Sequence, residues 1–199
     1  MATDISRRGF IAAAAAATAV APLPAFALTE ARARSLVDNL VAEINAVIAS
    51  GKSERQMYPD FERIFRRYAD VPTIAAYALG VDRRRASPAQ MRAFTEAFTG
   101  YIARKYGKRF REFIGGRLEV EGVSRVKNYF QVRTTAYLRG QSPFIVDFHI
   151  SDRSGRDLFF NMFVEGVNML LTEREEIGAM LDRRGGDLDR LIADLRRMG

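Results

Sequence analysis

The stretch from Ser87 to Gly116 sets the terms for the rest of the chain. Ser87 is placed to cap the first free amides of a helix. Pro88 suits the first helical position, and Gln90 completes a capping box with Ser87. Large apolar side chains then recur at Met91, Phe94, Phe98, Ile102, Tyr106, Phe110 and Ile114, and Tyr101 and Phe113 widen the stripe. The step is mostly four residues, so the stripe drifts slowly around a helix. Arg92, Glu96, Arg104, Lys108, Arg111 and Glu112 occupy the opposite face, and Gly115-Gly116 ends the pattern. Unbroken, Pro88–Ile114 spans about 40 Å, so a bend near Gly100 or Gly107 is expected. A stripe this rich in aromatics must be buried against something large.

The segments downstream supply that partner, because after Gly116 the period changes to two. Leu118 and Val120 alternate with Glu119 and Glu121. Phe130, Val132, Thr134, Ala136 and Leu138 then share one face, as do Phe144, Val146, Phe148 and Ile150, and Leu158, Phe160, Met162 and Val164. Turn residues separate them at Gly140–Pro143 and Asp152–Gly155. Sequential strands joined by short turns predict an antiparallel meander with one apolar face. Ile145, Phe159 and Phe163 are expected on the other face.

Helices flank this sheet in sequence. Thr29–Ser50 carries a stripe of Leu36, Val37, Leu40, Val41, Ile44, Val47 and Ile48, stopped by Gly51. Ser53 opens a second helix with Phe61, Ile64, Phe65 and Tyr68 on one face, and Pro59 is expected near its start or at a kink. Asp70-Val71-Pro72 opens a short third one, Thr73–Leu79, ended by Gly80. The basic connector Val81–Ala86 follows and is read as a solvated loop. After the strands, Thr172 is expected to cap Glu173–Arg184, with acids in the first turn and arginines in the last. Gly185-Gly186 separates it from Asp187–Met198, striped by Leu188, Leu191, Ile192 and Leu195. The fold class is a single α+β domain.

Residues 1–27 read as a cleaved export signal and stand outside the fold, with 28–199 as the mature domain. Ser6-Arg7-Arg8-Gly9-Phe10-Ile11 resembles a twin-arginine signal. The alanine-rich run Ile11–Ala21 is too short and too weakly apolar to span a membrane, and Ala25-Phe26-Ala27 is an A-x-A cleavage site before Leu28. The mature protein is therefore expected in the periplasm.

Catalysis finds little to work with. Cysteine is absent, so thiol chemistry and Cys-based metal sites are excluded. The single histidine, His149, sits mid-strand beside Asp147 on the more polar face, where sharing a face at i, i+2 is routine. No G-x-S-x-G, HExxH or glycine-rich phosphate loop occurs. Glu173, Glu175 and Glu176 read as helix-start acids, not as metal ligands. The chain is read as a non-enzyme with no cofactor and no metal. The net charge of +7 suits nucleic acid, anionic lipid or an acidic partner, and a solvated arginine-rich surface accounts for it equally well. The basic residues are scattered among acids and form no motif for nucleic acid, which is not an expected partner. The apolar faces of sheet and helices either fill one another or stop short and line a cavity. Thr134 and Ala136 are small and would leave room.

Three stretches carry a family resemblance: Asp70-Val71-Pro72-Thr73-Ile74-Ala75-Ala76-Tyr77-Ala78-Leu79-Gly80; Ser87-Pro88-Ala89-Gln90 with Phe94, Phe98, Tyr101 and Tyr106-Gly107; and Glu165-Gly166-Val167-Asn168-Met169 followed by Gly178 and Leu181, Gly185-Gly186, Leu188 and Leu191. In that order and spacing the chain resembles the MlaC family, also called the toluene-tolerance auxiliary family, although Asn168 stands where that family usually has serine. The resemblance implies a helix-and-curved-sheet roll similar to nuclear transport factor 2. It implies a periplasmic shuttle that holds the acyl chains of a phospholipid and leaves the head group in water. The implied partners are an outer-membrane lipoprotein complex and an inner-membrane ABC transporter complex with its periplasmic substrate-binding subunit. A hopanoid or other apolar lipid is an alternative cargo. A periplasmic adaptor with a solid core is the alternative from another class. The lining expected for a cavity is Val132, Phe144, Val146, Phe148, Phe160 and Met162 of the sheet, opposed by Phe94, Phe98 and Ile102.

Overall fold

Thr29 opens the first helix: its hydroxyl accepts from the Arg32 amide at 3.3 Å, and α1 runs Glu30–Ile48. The structure, a computed structural model, describes residues 27–108 and 115–198. The expected export signal, residues 1–27, lies outside them save for Ala27. Ser53 caps α2 (Glu54–Tyr68), with Gln56 closing the capping box. Pro59 sits inside this helix, beyond its first turn, where its missing N–H leaves the Arg55 carbonyl without the usual helical donor. The Asp70 carboxylate accepts from the Thr73 amide and starts α3 (Val71–Leu79), and Gly80 ends it at φ 66°. Gly80–Arg84 then forms a 3₁₀ turn where the sequence reads as a loop.

Both halves of the expected capping box form at α4 (Pro88–Gly107). Ser87 Oγ accepts from the Gln90 amide at 3.2 Å, and Gln90 Oε1 accepts from the Ser87 amide at 3.0 Å. The helix continues through Gly100 and closes at Gly107, a length of about 30 Å. Phe110, Phe113 and Ile114, expected to prolong it, fall outside the described residues.

The strands β1 (Arg117–Val126), β2 (Tyr129–Tyr137), β3 (Phe144–Ser151), β4 (Leu158–Val164) and the two-residue β5 (Val167–Asn168) form one antiparallel sheet in chain order. Its inner face pairs Val132 with Phe148, Thr134 with Val146, and Phe130 with Ile150. Two bulges interrupt it, between Val120 and Gly122 and opposite His149–Ile150. The second changes the reading of β4. Ile150 pairs with Phe159 and His149 with Asn161, so Phe160 is the extra residue and strict alternation stops there. Phe159, expected outside, is instead buried, with its ring 5.7 Å from Phe148 and 6.2 Å from Phe65. The Phe160 ring packs edge-on to Tyr129 at 5.5 Å and lies 5.9 Å from His149. Leu158 and Phe160 therefore do not share a face with Met162 and Val164.

Helices cover the inner face. α1 lies along β1 and β2, α2 packs on α4, and α3 joins α4 to the C-terminal helix pair. The Asp70 amide donates to the Phe159 carbonyl at 2.8 Å, which ties the helical half to β4. α5 (Met169–Asp182) starts four residues earlier than the sequence predicts. Asn168 is its cap, accepting from the Leu171 amide at 3.1 Å, while the Thr172 hydroxyl donates back to the Asn168 carbonyl. Its first turn therefore carries no acid, and its last turn no base. Asp187 caps α6 (Leu188–Leu195), which buries Leu191, Ile192 and Leu195 as expected.

Candidate functional site

Helices and sheet do not close on one another. Between them lies a cavity of about 660 Å³, within the range of about 300–1,000 Å³ that engulfs a whole small ligand. α1 contributes Leu40 and Ile44, α2 Phe61, Ile64 and Phe65, and α3 Ile74. α4 supplies Phe98, Ile102, Ala103 and Tyr106, the sheet Leu118, Phe144, Val146, Phe148, Phe159, Phe160, Met162 and Val164, and Leu138 follows β2 directly. Gln141, Ser142, Pro143 and Glu165, in the turns before β3 and after β4 at one end of that strand pair, are exposed and mark the mouth. Tyr106, Met169 and Leu170 beside them are half-buried, whereas Leu40, Phe61, Ile74 and Phe148 at the far end are buried. The wall thus passes from polar at the mouth to apolar in the interior.

Seven of the nine lining residues expected from the sequence belong to this wall: Phe98, Ile102, Phe144, Val146, Phe148, Phe160 and Met162. Phe94 and Val132 do not. Phe94 is fully buried and stacks on Phe98 with ring centroids 5.7 Å apart, and Val132 is fully buried under the sheet. Both are packed core, because periodicity assigns a face but not a position along it. Phe160 borders the cavity while its ring turns toward Tyr129 and His149, the result of the bulge.

The sequence reading missed the polar part of the wall. Glu173, expected as a helix-start acid, is 4% exposed and bonds to Lys105 and Tyr106 of α4. Its Oε1 accepts from Lys105 Nζ at 2.7 Å and from the Tyr106 hydroxyl. Lys105 also donates to Glu176, which accepts from the Tyr101 hydroxyl at 2.5 Å. Burial, reinforced by the two carboxyl groups, holds both phenols well above the ordinary tyrosine value, so they remain donors. Burial pushes the Glu176 carboxyl up, but its bonds to Lys105 and Tyr101 outweigh this and keep it below the usual range. Spacing alone pointed here: Tyr101, Lys105 and Tyr106 share the end of α4, and Glu173 and Glu176 lie one turn apart.

His149 and Asp147 do not form a working pair. Asp147 accepts from Arg133 Nε at 3.0 Å, and His149 packs between Tyr129 at 4.6 Å and Phe163 at 4.8 Å. Burial lowers the His149 pKa below 6.5, partly opposed by the Asp147 charge. A depressed folded value means that protonation favours the unfolded chain. This contribution to stability is complete above about pH 6.5 and is lost as the pH falls below it. His149→Phe is accordingly expected to lose less stability than wild type between pH 7 and pH 5, measured by urea denaturation at each pH. Equal losses would show that the imidazole plays no part.

A family model described as MlaC protein matches residues 34–197 of the chain. Among solved structures, the chain is similar to the phospholipid-binding protein from Ralstonia solanacearum, determined in complex with a phospholipid at 1.53 Å resolution. The TM-score is 0.69 and the sequence identity 18%, over 82% of this chain and 98% of that one. At this identity the likeness is one of fold.

Proposed function

The chain belongs to the MlaC family, and from that premise we propose that it is a periplasmic phospholipid carrier whose cavity sheathes acyl chains while the head group stays at the mouth. The observation that carries this reading is the cavity of about 660 Å³, apolar within and polar at its opening. The phospholipid in the Ralstonia solanacearum protein of similar fold supports it. The physical need is simple. Exposing an acyl chain of roughly fifteen methylenes to water costs about 12 kcal/mol. A lipid therefore crosses an aqueous space only inside a continuous apolar lining. In this reading the protein takes no part in covalent chemistry. It moves lipid between an outer-membrane lipoprotein complex and an inner-membrane ABC transporter complex with its periplasmic substrate-binding subunit. Export follows a twin-arginine-like signal cleaved before Leu28. A hopanoid is the other cargo that such a lining accepts. A solid-core adaptor needs apolar faces that fill each other, and the cavity weighs against it.

One preparation tests the reading. Protein purified from the periplasm is expected to have the mass of a chain beginning at Leu28 and to release phospholipid on organic extraction, both read by mass spectrometry. A preparation free of any lipid counts against the carrier. An uncleaved chain counts against the export signal alone.

A further inference from the structure

The start of α1 is tied to the turn between β3 and β4. The backbone nitrogen of Leu28 donates to the Asp152 carboxylate at 2.9 Å, across 124 residues of chain, and Arg32 Nε donates to Asp157 at 2.7 Å. The Leu28 side chain is half-buried and packs against the core, while Ala27 before it is exposed. Asp152 is also half-buried, and its carbonyl accepts from the Gly155 amide at 2.8 Å, which fixes the turn that presents the carboxylate. Packing therefore places both partners of the Leu28–Asp152 bond.

The Leu28 nitrogen is the atom that cleavage before Leu28 sets free. In the precursor it is a peptide amide with one N–H and no charge. A signal peptidase that hydrolyses the Ala27–Leu28 bond leaves the oxygen of water on the Ala27 carboxylate and its two protons on the Leu28 nitrogen. The product is an α-ammonium, mostly protonated at pH 7, with a donor still aimed at the same oxygen. It stands one residue before Thr29, the cap of α1, at the helix end that carries partial positive charge. A bare ammonium there opposes the helix. Glu30 lies in the first turn and Arg32 is engaged with Asp157, so Asp152 is the carboxylate bonded to the nitrogen. Resting on the expected cleavage site, we propose that Asp152 is the docking site of the mature N-terminus. Signal removal turns a neutral hydrogen bond into an ion pair that latches α1 to the turn. α1 carries Leu40 and Ile44, and β4 after the turn carries Phe159 and Phe160, so the latch joins two sides of the cavity wall. A cut one residue to either side displaces the ammonium by about 3.8 Å and forfeits the pair.

Four delipidated proteins test this. They are the chain beginning at Leu28 and the same chain preceded by Leu23–Ala27, where the Leu28 nitrogen stays an amide, each with and without Asp152→Asn. Asparagine keeps an oxygen for Leu28 but carries no charge. Urea denaturation at pH 7 and one ionic strength gives the coupling between the two changes. Asp152→Asn is expected to lower the folding equilibrium constant about fivefold in the chain beginning at Leu28 and by no more than about twofold in the extended one. Mass spectrometry of protein from the periplasm reports the native first residue. Equal losses in the two backgrounds overturn the proposal and leave cleavage before Leu28 standing. A native chain that begins elsewhere overturns both, and the carrier reading depends on neither.

Discussion

Met162→Asp is expected to yield a folded protein that leaves purification with at least tenfold less lipid than wild type. Met162 is half-buried in the cavity wall opposite Phe148. In the empty protein an aspartate there keeps contact with water in the cavity, so folding is retained. When acyl chains enter, that water leaves and the carboxylate is stranded against methylenes, a cost of several kcal/mol that disfavours the loaded state alone. Val146→Asp follows the same logic with a larger loss of stability, since Val146 is 5% exposed and its neighbours on the sheet are packed closely. Circular dichroism reports folding, and extraction with mass spectrometry reports lipid. If both variants simply unfold, the lining behaves as solid core, because a buried unpaired carboxylate rivals the whole stability of a domain.

The complementary test separates core from wall. Phe94→Ala is expected to destabilise the delipidated protein by about 3–5 kcal/mol, since it removes a fully buried ring stacked on Phe98 and leaves a hole that packed neighbours cannot fill. Ile102→Ala, about two turns further along the same helix, is expected to destabilise it far less. Ile102 is half-buried and already borders empty space, so its removal enlarges an existing void and forfeits fewer contacts. Its effect should appear in lipid retention instead. Urea denaturation of delipidated samples makes the comparison, because bound ligand would stabilise each variant by a different amount. Equal costs for the two substitutions would mean that the chain packs without a chamber.

The residues that declared themselves in the sequence were those with local causes. Ser87 with Gln90 and Asp70 before Pro72 open helices through bonds spanning three residues, and such bonds are written in the spacing. The alternation of β2 and β3 was equally plain. What escaped notice has distant causes. The bulge at Phe160 depends on how β4 meets His149 and Ile150, and nothing in Leu158–Val164 alone announces it. Thr172 with three glutamates in the next four residues imitates a helix start, yet Asn168 takes that role after the turn at Glu165-Gly166, and Glu173 and Glu176 bond to α4. Phe94 and Phe98 occupy one stripe and are both fully buried, yet only Phe98 borders the cavity, which their spacing does not tell.

The sheet's strand order repeats the order of the chain. Each pair therefore closes a short loop, and the meander is free to zip together hairpin by hairpin as synthesis proceeds. The contacts that bring the helical half onto it are of another kind. Asn45 meets Leu118, and Asp70 meets Phe159, from opposite halves of the polypeptide. The wall they complete runs from Leu40 to Glu173. No fragment that ends before Glu173 or begins after Leu40 holds that wall entire, so a product stalled after the last hairpin has strands to pair but an incomplete wall.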